Sequence, residues 1–290
     1  MTDQELLQLR KEKWGLTGQS MLTLEAARRF VESVGFCLMY PARPAVLVPT
    51  FIGAWIGSEE RLPTWQQAYA DPRAQEATGL MVRLLRERDA YEANLSDGNN
   101  AFLIAASIFP YFYALVGERN PRQAPTAGSR SAYSELDCAV YEIVRREGPV
   151  SKQKLMETLG GGPSSTAVDR SLADLWSKLR ITRVDYKPGE GAFWDVLYRW
   201  SPETVREGIQ LSVPEALSAL LTKYLDCMIA ADQQEVENFL GSFVPRSKVK
   251  DAVNALLAAR ELEFDHVGSR SLLRLTPSKT APLSTSPLKK

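Results

Sequence analysis

The chain has 290 residues, of which 44% are hydrophobic, and its 35 basic and 35 acidic side chains give a formal net charge of zero. This length predicts two or three domains, and this hydrophobic content is sufficient for well-packed cores. The charge balance excludes a strongly basic protein that coats DNA, although it is compatible with a local basic face.

Metal, disulfide and cofactor chemistry find little support in the sequence. The chain has only three cysteines, which lie far apart at Cys37, Cys138 and Cys227, and one histidine, His266. A zinc site needs a closed set of sulfur or imidazole ligands, so we expect no metal. The absence of paired cysteines fits a reducing cytoplasm. The sequence has no glycine-rich phosphate-binding motif, so we expect no small-molecule cofactor.

No segment indicates export or membrane insertion. The first fifteen residues are charged from the start, unlike a secretory signal. The longest apolar run, residues 101–116, is too short to span a bilayer and contains Pro110. We expect it to form a buried helix with a break, and we expect no membrane partner.

The first 130 residues predict a mainly helical domain. Thr23 is the expected N-cap of a helix that runs through Ser33 and ends at Gly35. An uncharged stretch, residues 35–40, follows and reads as a buried strand. A long helix is expected over residues 72–91. Residues 118–131 are rich in proline and glycine and predict a linker.

The next segment has a sharper pattern, with three helices and a hairpin. Ser134 and Ser151 are the expected caps of the first two helices. A third helix is predicted over residues 166–180. Residues 181–187 and 192–200 read as two strands joined by a tight turn.

The same pattern returns 81 positions later along the chain. This offset places Asp232 on Ser151, and Val249 on Val168. Caps, core positions and a helix-ending glycine all coincide, which unrelated helices would not sustain over several turns. Three helices and a hairpin are the order of a winged helix-turn-helix. The predicted fold is therefore α+β, mostly helical, with tandem winged helix-turn-helix domains and short β-hairpins.

The predicted domains follow from these boundaries. Residues 1–130 form the N-terminal, mainly helical domain, and residues 131–200 and 201–277 form the two winged helices. Residues 278–290 form a disordered tail because they are rich in serine, threonine, proline and lysine.

Winged helices often place their third helix in the major groove of DNA. The exposed basic candidates for contacts with double-stranded DNA are Lys152, Lys154, Arg170, Lys178, Arg246, Lys248 and Lys250. Neither unit is basic overall, however: residues 133–200 hold ten basic and ten acidic side chains, and residues 201–277 hold eight and eleven. A winged helix of balanced charge also serves as a protein-interaction module, so both alternatives stay open.

The order of parts resembles a known family. The stretches "VGF", "PTFIGAW", "LDCAVYEIVRREGPVSKQKL", "AVDRSLADLWSKLRITRV" and "FWDVLYRWSPE" follow one another as in the winged-helix DNA glycosylases of the AlkZ/YcaQ type. The resemblance covers roughly residues 5–275. It implies tandem winged helices around a concave DNA surface and hydrolysis of the bond between deoxyribose and an alkylated purine, in repair of alkylated or crosslinked DNA.

The resemblance also implies where the catalytic residues would lie. The family has a glutamine, one spacer residue and then glutamine or aspartate after a strand of this kind, a pair that can orient a water. In the stretch "VGFCLMY" these positions hold Leu38 and Tyr40. Leucine cannot accept a hydrogen bond, and tyrosine is neutral at physiological pH. The strand thus looks like the catalytic strand without its chemistry. We expect it to border a groove with Tyr40 and Arg43 at the rim, where Arg43 is a further candidate for DNA contact.

Three functions remain open at this stage. The first is DNA binding of the repair-glycosylase type without glutamine-dependent excision. The second is an active glycosylase with a substituted residue set, for which Glu32 and Asp97 are the candidate carboxylates. The third is a winged-helix protein that binds other proteins or regulates transcription.

Overall fold

A computed structural model of the chain describes residues 1–42, 47–68, 70–94, 101–128 and 131–277. The fold is α+β, mostly helical, with small antiparallel sheets. The helices are α1 (Asp3–Lys13), α2 (Leu24–Val34), α3 (Phe51–Ile56), α4 (Pro72–Glu87), α5 (Phe109–Val116), α6 (Glu135–Glu147), α7 (Lys152–Thr158), α8 (Ser165–Ser177), α9 (Leu197–Trp200), α10 (Pro202–Gln210), α11 (Val213–Met228), α12 (Gln233–Leu240) and α13 (Arg246–Ala258). The strands are β1 (Phe36–Leu38), β2 (Ala90–Ala93), β3 (Phe102–Ala105), β4 (Val150–Ser151), β5 (Ile181–Lys187), β6 (Gly191–Val196), β7 (Leu262–Val267) and β8 (Arg270–Leu275).

In its described residues, the N-terminal part combines five α-helices with an antiparallel sheet in the order β1-β3-β2. The cap of α2 is as predicted, because Thr23 accepts a hydrogen bond from the Ala26 amide and Gly35 ends the helix at a φ of 80°. None of the helices in the described ranges is both long and apolar enough to cross a membrane.

Two predicted helices of this part are wrong in extent. Residues 102–105 form the central strand β3, and only the second half of the apolar run is a helix, α5, with Pro110 in its first turn. The run lacks polar residues because β3 is buried between two neighbouring strands, and such a strand has no period to distinguish it from a helix. The helix α4 ends at Glu87, because Arg88 adopts a left-handed φ of 62°, and β2 follows.

The two later segments repeat one element order at an offset of 81 residues. We name residues 135–196 the first repeat and residues 213–275 the second repeat. α8 and α13 begin and end at equivalent positions. α7 and α12 also begin at equivalent positions, as do β5 and β7. Even the left-handed residue after the third helix recurs, as Leu179 at φ 54° and Arg260 at φ 55°. The caps predicted at Ser151 and Asp232 are both formed.

The repeats differ in how they bury themselves. The second repeat shares one continuous core with the N-terminal part: the Phe36 ring of β1 stacks on Phe239 of α12 at 5.1 Å and on Tyr224 of α11 at 6.3 Å. The first repeat has a core of its own, built around Val140, Leu155 and Leu175. It docks on the N-terminal part through β5, which packs against α4 and β2.

Candidate functional site

The strand that matches the family's catalytic strand lies inside the core. β1 is an edge strand of the N-terminal sheet, paired with β3, and all three of its residues are buried. The Leu38 side chain is 2% exposed and Tyr40 is 6% exposed. Leu38 has no polar side-chain atom, so this position offers nothing that could hold a water or stabilise a cationic sugar.

The Tyr40 hydroxyl is engaged with α4 and does not point to a groove. It lies 2.6 Å from the Thr78 hydroxyl and 3.5 Å from the Ala74 carbonyl oxygen. Burial raises the pKa of the Tyr40 phenol, which keeps it neutral. The expectation that Tyr40 lies at the rim of a groove is therefore wrong, because its ring completes the packing of β1 under α4. The companion rim residue, Arg43, lies outside the described residues.

Of the two candidate carboxylates, only Glu32 is described. It lies exposed near the end of α2, where the Ser107 hydroxyl donates a hydrogen bond to its carboxylate. This surface position gives it no enclosed space in which to activate a water. Asp97 lies outside the described residues, so its role as a candidate catalytic carboxylate stays a prediction.

Most of the predicted basic contact residues are engaged locally. Three lysines form ion pairs on their own repeats: Lys152 with Asp169 at 2.5 Å, Lys154 with Glu157 at 3.6 Å, and Lys250 with Glu237 at 3.7 Å. These pairs reduce the positive potential that the two repeats present to a polyanion.

The other four predicted basic residues divide into two kinds. Lys178 donates to the Ala132 carbonyl and lies 4.0 Å from the centre of the Tyr133 ring, while Arg246 donates to the Asn238 side chain. Arg170 and Lys248 are exposed and form no ion pair within the described part of the chain. They are the two cations in the predicted set that are best placed to meet a ligand.

A cavity of about 410 Å³ lies where the first repeat meets the end of β2. We name it the tryptophan cavity. The side chains that matter to its chemistry are Asn94, Lys152, Asp169, Trp176, Arg183 and Trp194. Lys152 is thus the predicted DNA contact that the structure brings into this cavity. Its volume falls within the range of about 300–1,000 Å³ that is usual for ligand pockets.

The tryptophan cavity is built around a buried ion pair. Arg183 of β5 donates to the Glu92 carboxylate of β2 at 2.6 Å, and the Glu92 side chain is only 4% exposed. The guanidinium carbon lies 4.3 Å from the centre of the Trp176 ring and 4.9 Å from that of Trp194, and the two indoles meet edge to face at 5.3 Å. Cation–π contacts and the ion pair therefore fix Arg183 between two aromatic faces.

The main chain of β2 adds to this junction. The Trp176 indole donates to the Glu92 carbonyl oxygen at 3.0 Å. Burial raises the pKa of the Glu92 carboxyl, and the adjacent Arg183 guanidinium opposes that rise. A carboxylate that is fully desolvated and paired with one cation occurs both in structural junctions and in functional sites.

Sequence reasoning did not identify the ion pair between Glu92 and Arg183. Glu92 and Arg183 are 91 positions apart, and no spacing rule links them. The one signal was Trp176 and Trp194, which the sequence placed on a helix and a hairpin, where aromatic packing is the usual role. Within the described ranges, no cluster of three or more histidine, cysteine or carboxylate side chains is placed to hold a metal ion.

Comparisons with known proteins identify a solved structure with a similar fold. No protein-family model matches the chain, and no curated protein sequence matches it. Among solved structures, the Streptomyces sahachiroi DNA glycosylase AlkZ is similar, with a TM-score of 0.60 and 13% sequence identity over 95% of this chain and 70% of that chain. The resemblance seen in the sequence is confirmed at the level of the fold: the chain has the fold of the AlkZ-type DNA glycosylases.

Proposed function

We propose that the protein binds double-stranded DNA, as a relative of the winged-helix DNA glycosylases of DNA repair, and does not perform their glutamine-dependent base excision. The observation that carries the proposal is the likeness to a DNA glycosylase, which extends over 95% of this chain. This is an inference by analogy of fold, which the binding experiment below tests at named residues.

We further propose that residues 131–200 and 201–277 are winged-helix domains, attached to an N-terminal domain of residues 1–130. The repeated order of helices and hairpin supports this assignment. In such domains the third helix, here α8 and α13, approaches the major groove. Arg170 on α8 and Lys248 on α13 would then contact phosphates.

The doubt about excision rests on Leu38 and Tyr40. Both are buried, and neither offers an amide or carboxylate to a water. Glu32 is the remaining described carboxylate candidate, and its exposure does not favour general-base catalysis, which benefits from a shielded group. An active enzyme would thus need either a more enclosed conformation of Glu32 or the use of Asp97 as its general base.

One observation favours a different class of function. Lys152, Lys154 and Lys250 are each paired with an acidic neighbour, as expected for a surface that packs against protein. A winged-helix module for protein interaction is therefore the second candidate. It predicts no salt-dependent association with DNA.

A binding experiment separates these candidates. Fluorescence anisotropy is measured with a plain duplex and with an N7-alkylated duplex at two salt concentrations. If the protein binds DNA, its affinity should fall as the salt concentration rises. A variant that loses one phosphate contact should reduce the slope of the logarithm of the binding constant against the logarithm of the salt concentration by about 1. The variants Arg170→Glu and Lys248→Glu should each weaken binding to both duplexes. The control is Lys11→Glu, the same charge reversal on α1, outside both repeats.

Product analysis on the same samples then tests excision. We expect no free alkylated base at a large excess of protein over the N7-alkylated duplex. Release of that base, and its loss in Glu32→Gln or Asp97→Asn, would establish the active enzyme instead. Salt-independent or undetectable binding to both duplexes would leave the protein-interaction candidate.

A further inference from the structure

The strands β2, β5 and β7 occupy equivalent places in the chain. Each strand begins two residues after a residue in the left-handed region that follows a longer helix, and these residues are Arg88, Leu179 and Arg260, with φ of 62°, 54° and 55°. This alignment makes Glu92, Arg183 and Phe264 equivalent positions, separated by 91 and 81 residues. The N-terminal part therefore contains a strand that corresponds to the first hairpin strand of each repeat.

Two of these strands, β2 and β5, face each other within the chain. Both are edge strands, in sheets of the same order, β1-β3-β2 and β4-β6-β5. Glu92 pairs with Arg183 at 2.6 Å, so the contact joins equivalent positions of the two strands. The Thr182 hydroxyl of β5 also donates to the Glu92 carbonyl oxygen at 3.4 Å. The edge of one unit is thus covered by the equivalent edge of another.

The strand β7 presents a row of backbone groups at the outer edge of its hairpin. Leu273 of β8 exchanges backbone hydrogen bonds with Ala231, at 2.8 and 2.9 Å, on the side away from β7. Phe264 lies opposite Leu273, so this pair is not hydrogen-bonded and the Phe264 N–H and C=O point to the outer edge. The same alternation directs the backbone groups of Leu262 and His266 outward. In the described part of the chain, no backbone-to-backbone hydrogen bond crosses this edge.

The edge of β7 is also open to pairing. The strand contains no proline or lysine, and its register with β8 is unbroken, whereas the register of β5 with β6 shifts within the strand. The Phe264 side chain is 49% exposed. The charged side chains Glu263 and Asp265 lie on the other face of the strand, where Arg274 pairs with them at 2.7 and 3.1 Å. An exposed and apolar edge of this kind is suited to pairing with another strand.

We propose that two copies of the chain associate through β7, antiparallel and about a twofold axis at Phe264. In this register Phe264 lies opposite Phe264 of the second copy, and Leu262 lies opposite His266 of the second copy. Each pair can exchange both of its backbone hydrogen bonds, because the groups of all these residues point outward. The contact between β2 and β5 supports a second copy as the occupant, because equivalent edges already meet there at equivalent positions.

The side chains agree with a symmetric contact. Two half-exposed phenyl rings meet at the axis and shield each other from water, and cross-strand aromatic pairs stabilise a sheet. On the other face, Glu263 lies opposite Asp265 of the second copy, and Arg274, which pairs with both carboxylates in its own chain, offsets their repulsion. Because each copy contributes one short strand, we expect weak association that becomes visible only at high protein concentration.

Sedimentation equilibrium of the full chain, without DNA, tests the proposal. Over a series from low micromolar to near-millimolar protein, the apparent mass should rise from that of one chain towards that of two. Phe264→Lys and Phe264→Glu each replace the aromatic pair by like charges that face each other. Each variant alone should therefore associate about tenfold more weakly than the unchanged chain, or weaker.

A mixture and a control locate the contact. An equal mixture of Phe264→Lys and Phe264→Glu should recover association, because lysine then faces glutamate across the axis. Ser271→Lys adds the same charge at an exposed position of β8, the inner strand of the same hairpin, and should leave association unchanged. Thermal unfolding at low concentration confirms that each variant is folded.

The outcomes decide the proposal without reference to DNA binding. A chain that stays monomeric throughout the series, or a dimer that Phe264→Lys does not weaken, would overturn the association through β7. A mixture that associates no better than either variant alone would overturn the pairing of Phe264 with its own copy.

Discussion

The two repeats share an element order but meet the N-terminal part through different side chains. The second repeat turns α11 and α12 inward, where Tyr224 and Phe239 stack on Phe36 of the N-terminal sheet, and it leaves the hairpin residue Phe264 49% exposed. The first repeat does the reverse: its hairpin residue Arg183 reaches the buried Glu92 of β2, and its helices enclose a separate core.

This difference shows that one repeated unit can be packed against the rest of a chain in two ways. The second repeat is part of the main core and cannot move without disrupting the N-terminal sheet. The first repeat is joined to that sheet by a polar and aromatic junction, which leaves room for a cavity. We therefore expect substitutions in the two repeats to differ in how much they lower the free energy of unfolding and in how far along the chain they change hydrogen exchange.

The largest effect is expected from core truncation. Leu240 and Leu155 are both fully buried, in the shared core and in the first repeat's own core respectively. Each change to alanine should lower the free energy of unfolding by about 2–5 kcal/mol. Hydrogen exchange should show faster exchange of the N-terminal strands only in Leu240→Ala. If the N-terminal strands exchange faster to the same degree in both variants, the two cores unfold as one cooperative unit.

The second-largest effect on the free energy of unfolding is expected at the junction between Glu92 and Arg183. Arg183→Met leaves the Glu92 carboxylate buried without its cation and should cost about 3 kcal/mol in urea unfolding. The double variant Arg183→Met with Glu92→Gln should recover much of this loss, because no unpaired charge remains. A double variant as unstable as the single one would show that Arg183 acts through packing on the indoles instead.

The loss in Arg183→Met should also depend on pH. Burial raises the pKa of Glu92 in the folded protein, and removal of the guanidinium raises it further. The folded state then binds a proton where the unfolded state does not, so the contribution of Glu92 to stability improves as the pH falls towards its unfolded pKa of about 4.3. Urea unfolding at pH 7 and pH 5 should therefore show a smaller deficit at pH 5, and Arg183→Met with Glu92→Gln should lack this trend.

A smaller effect is expected at the start of the third helices. In α8 the Ser164 side chain accepts a hydrogen bond from the Ala167 amide at 3.2 Å, whereas α13 begins after Pro245 without a side-chain cap. Ser164→Ala should cost about 1 kcal/mol, as measured by chemical unfolding. Ser247→Ala, on the first turn of α13, is the matched control and should cost less. Equal losses would show that α8 does not depend on its cap.

The smallest effect is expected at the position equivalent to Arg183. Phe264→Ser removes a ring that is half exposed, so the free energy of unfolding should change by no more than about 0.5 kcal/mol. A loss as large as that of Arg183→Met would mean that the second hairpin is also a packed junction, which would remove the contrast between the repeats.

The sequence by itself determined the local elements and the repeat. Caps such as Ser134, Ser151 and Asp232, the apolar spacing of the helices and the turn residues of the hairpins act over a few residues, so they can be read without a fold. The 81-residue offset followed from the same signals. The resemblance to the glycosylases came from the order of these parts, and the fold agrees with it.

Only the tertiary structure decided which faces meet and which charges are engaged. Residues 102–105 form the buried strand β3, although their sequence has no strand periodicity. Tyr40 packs against α4 in the core and does not lie at a groove. The ion pairs of Lys152 and Lys250 depend on neighbouring helices, and the pair of Glu92 and Arg183 joins residues 91 positions apart. Such contacts form because distant apolar surfaces exclude water together, and this pairing of surfaces is a property of the folded chain that no local pattern encodes.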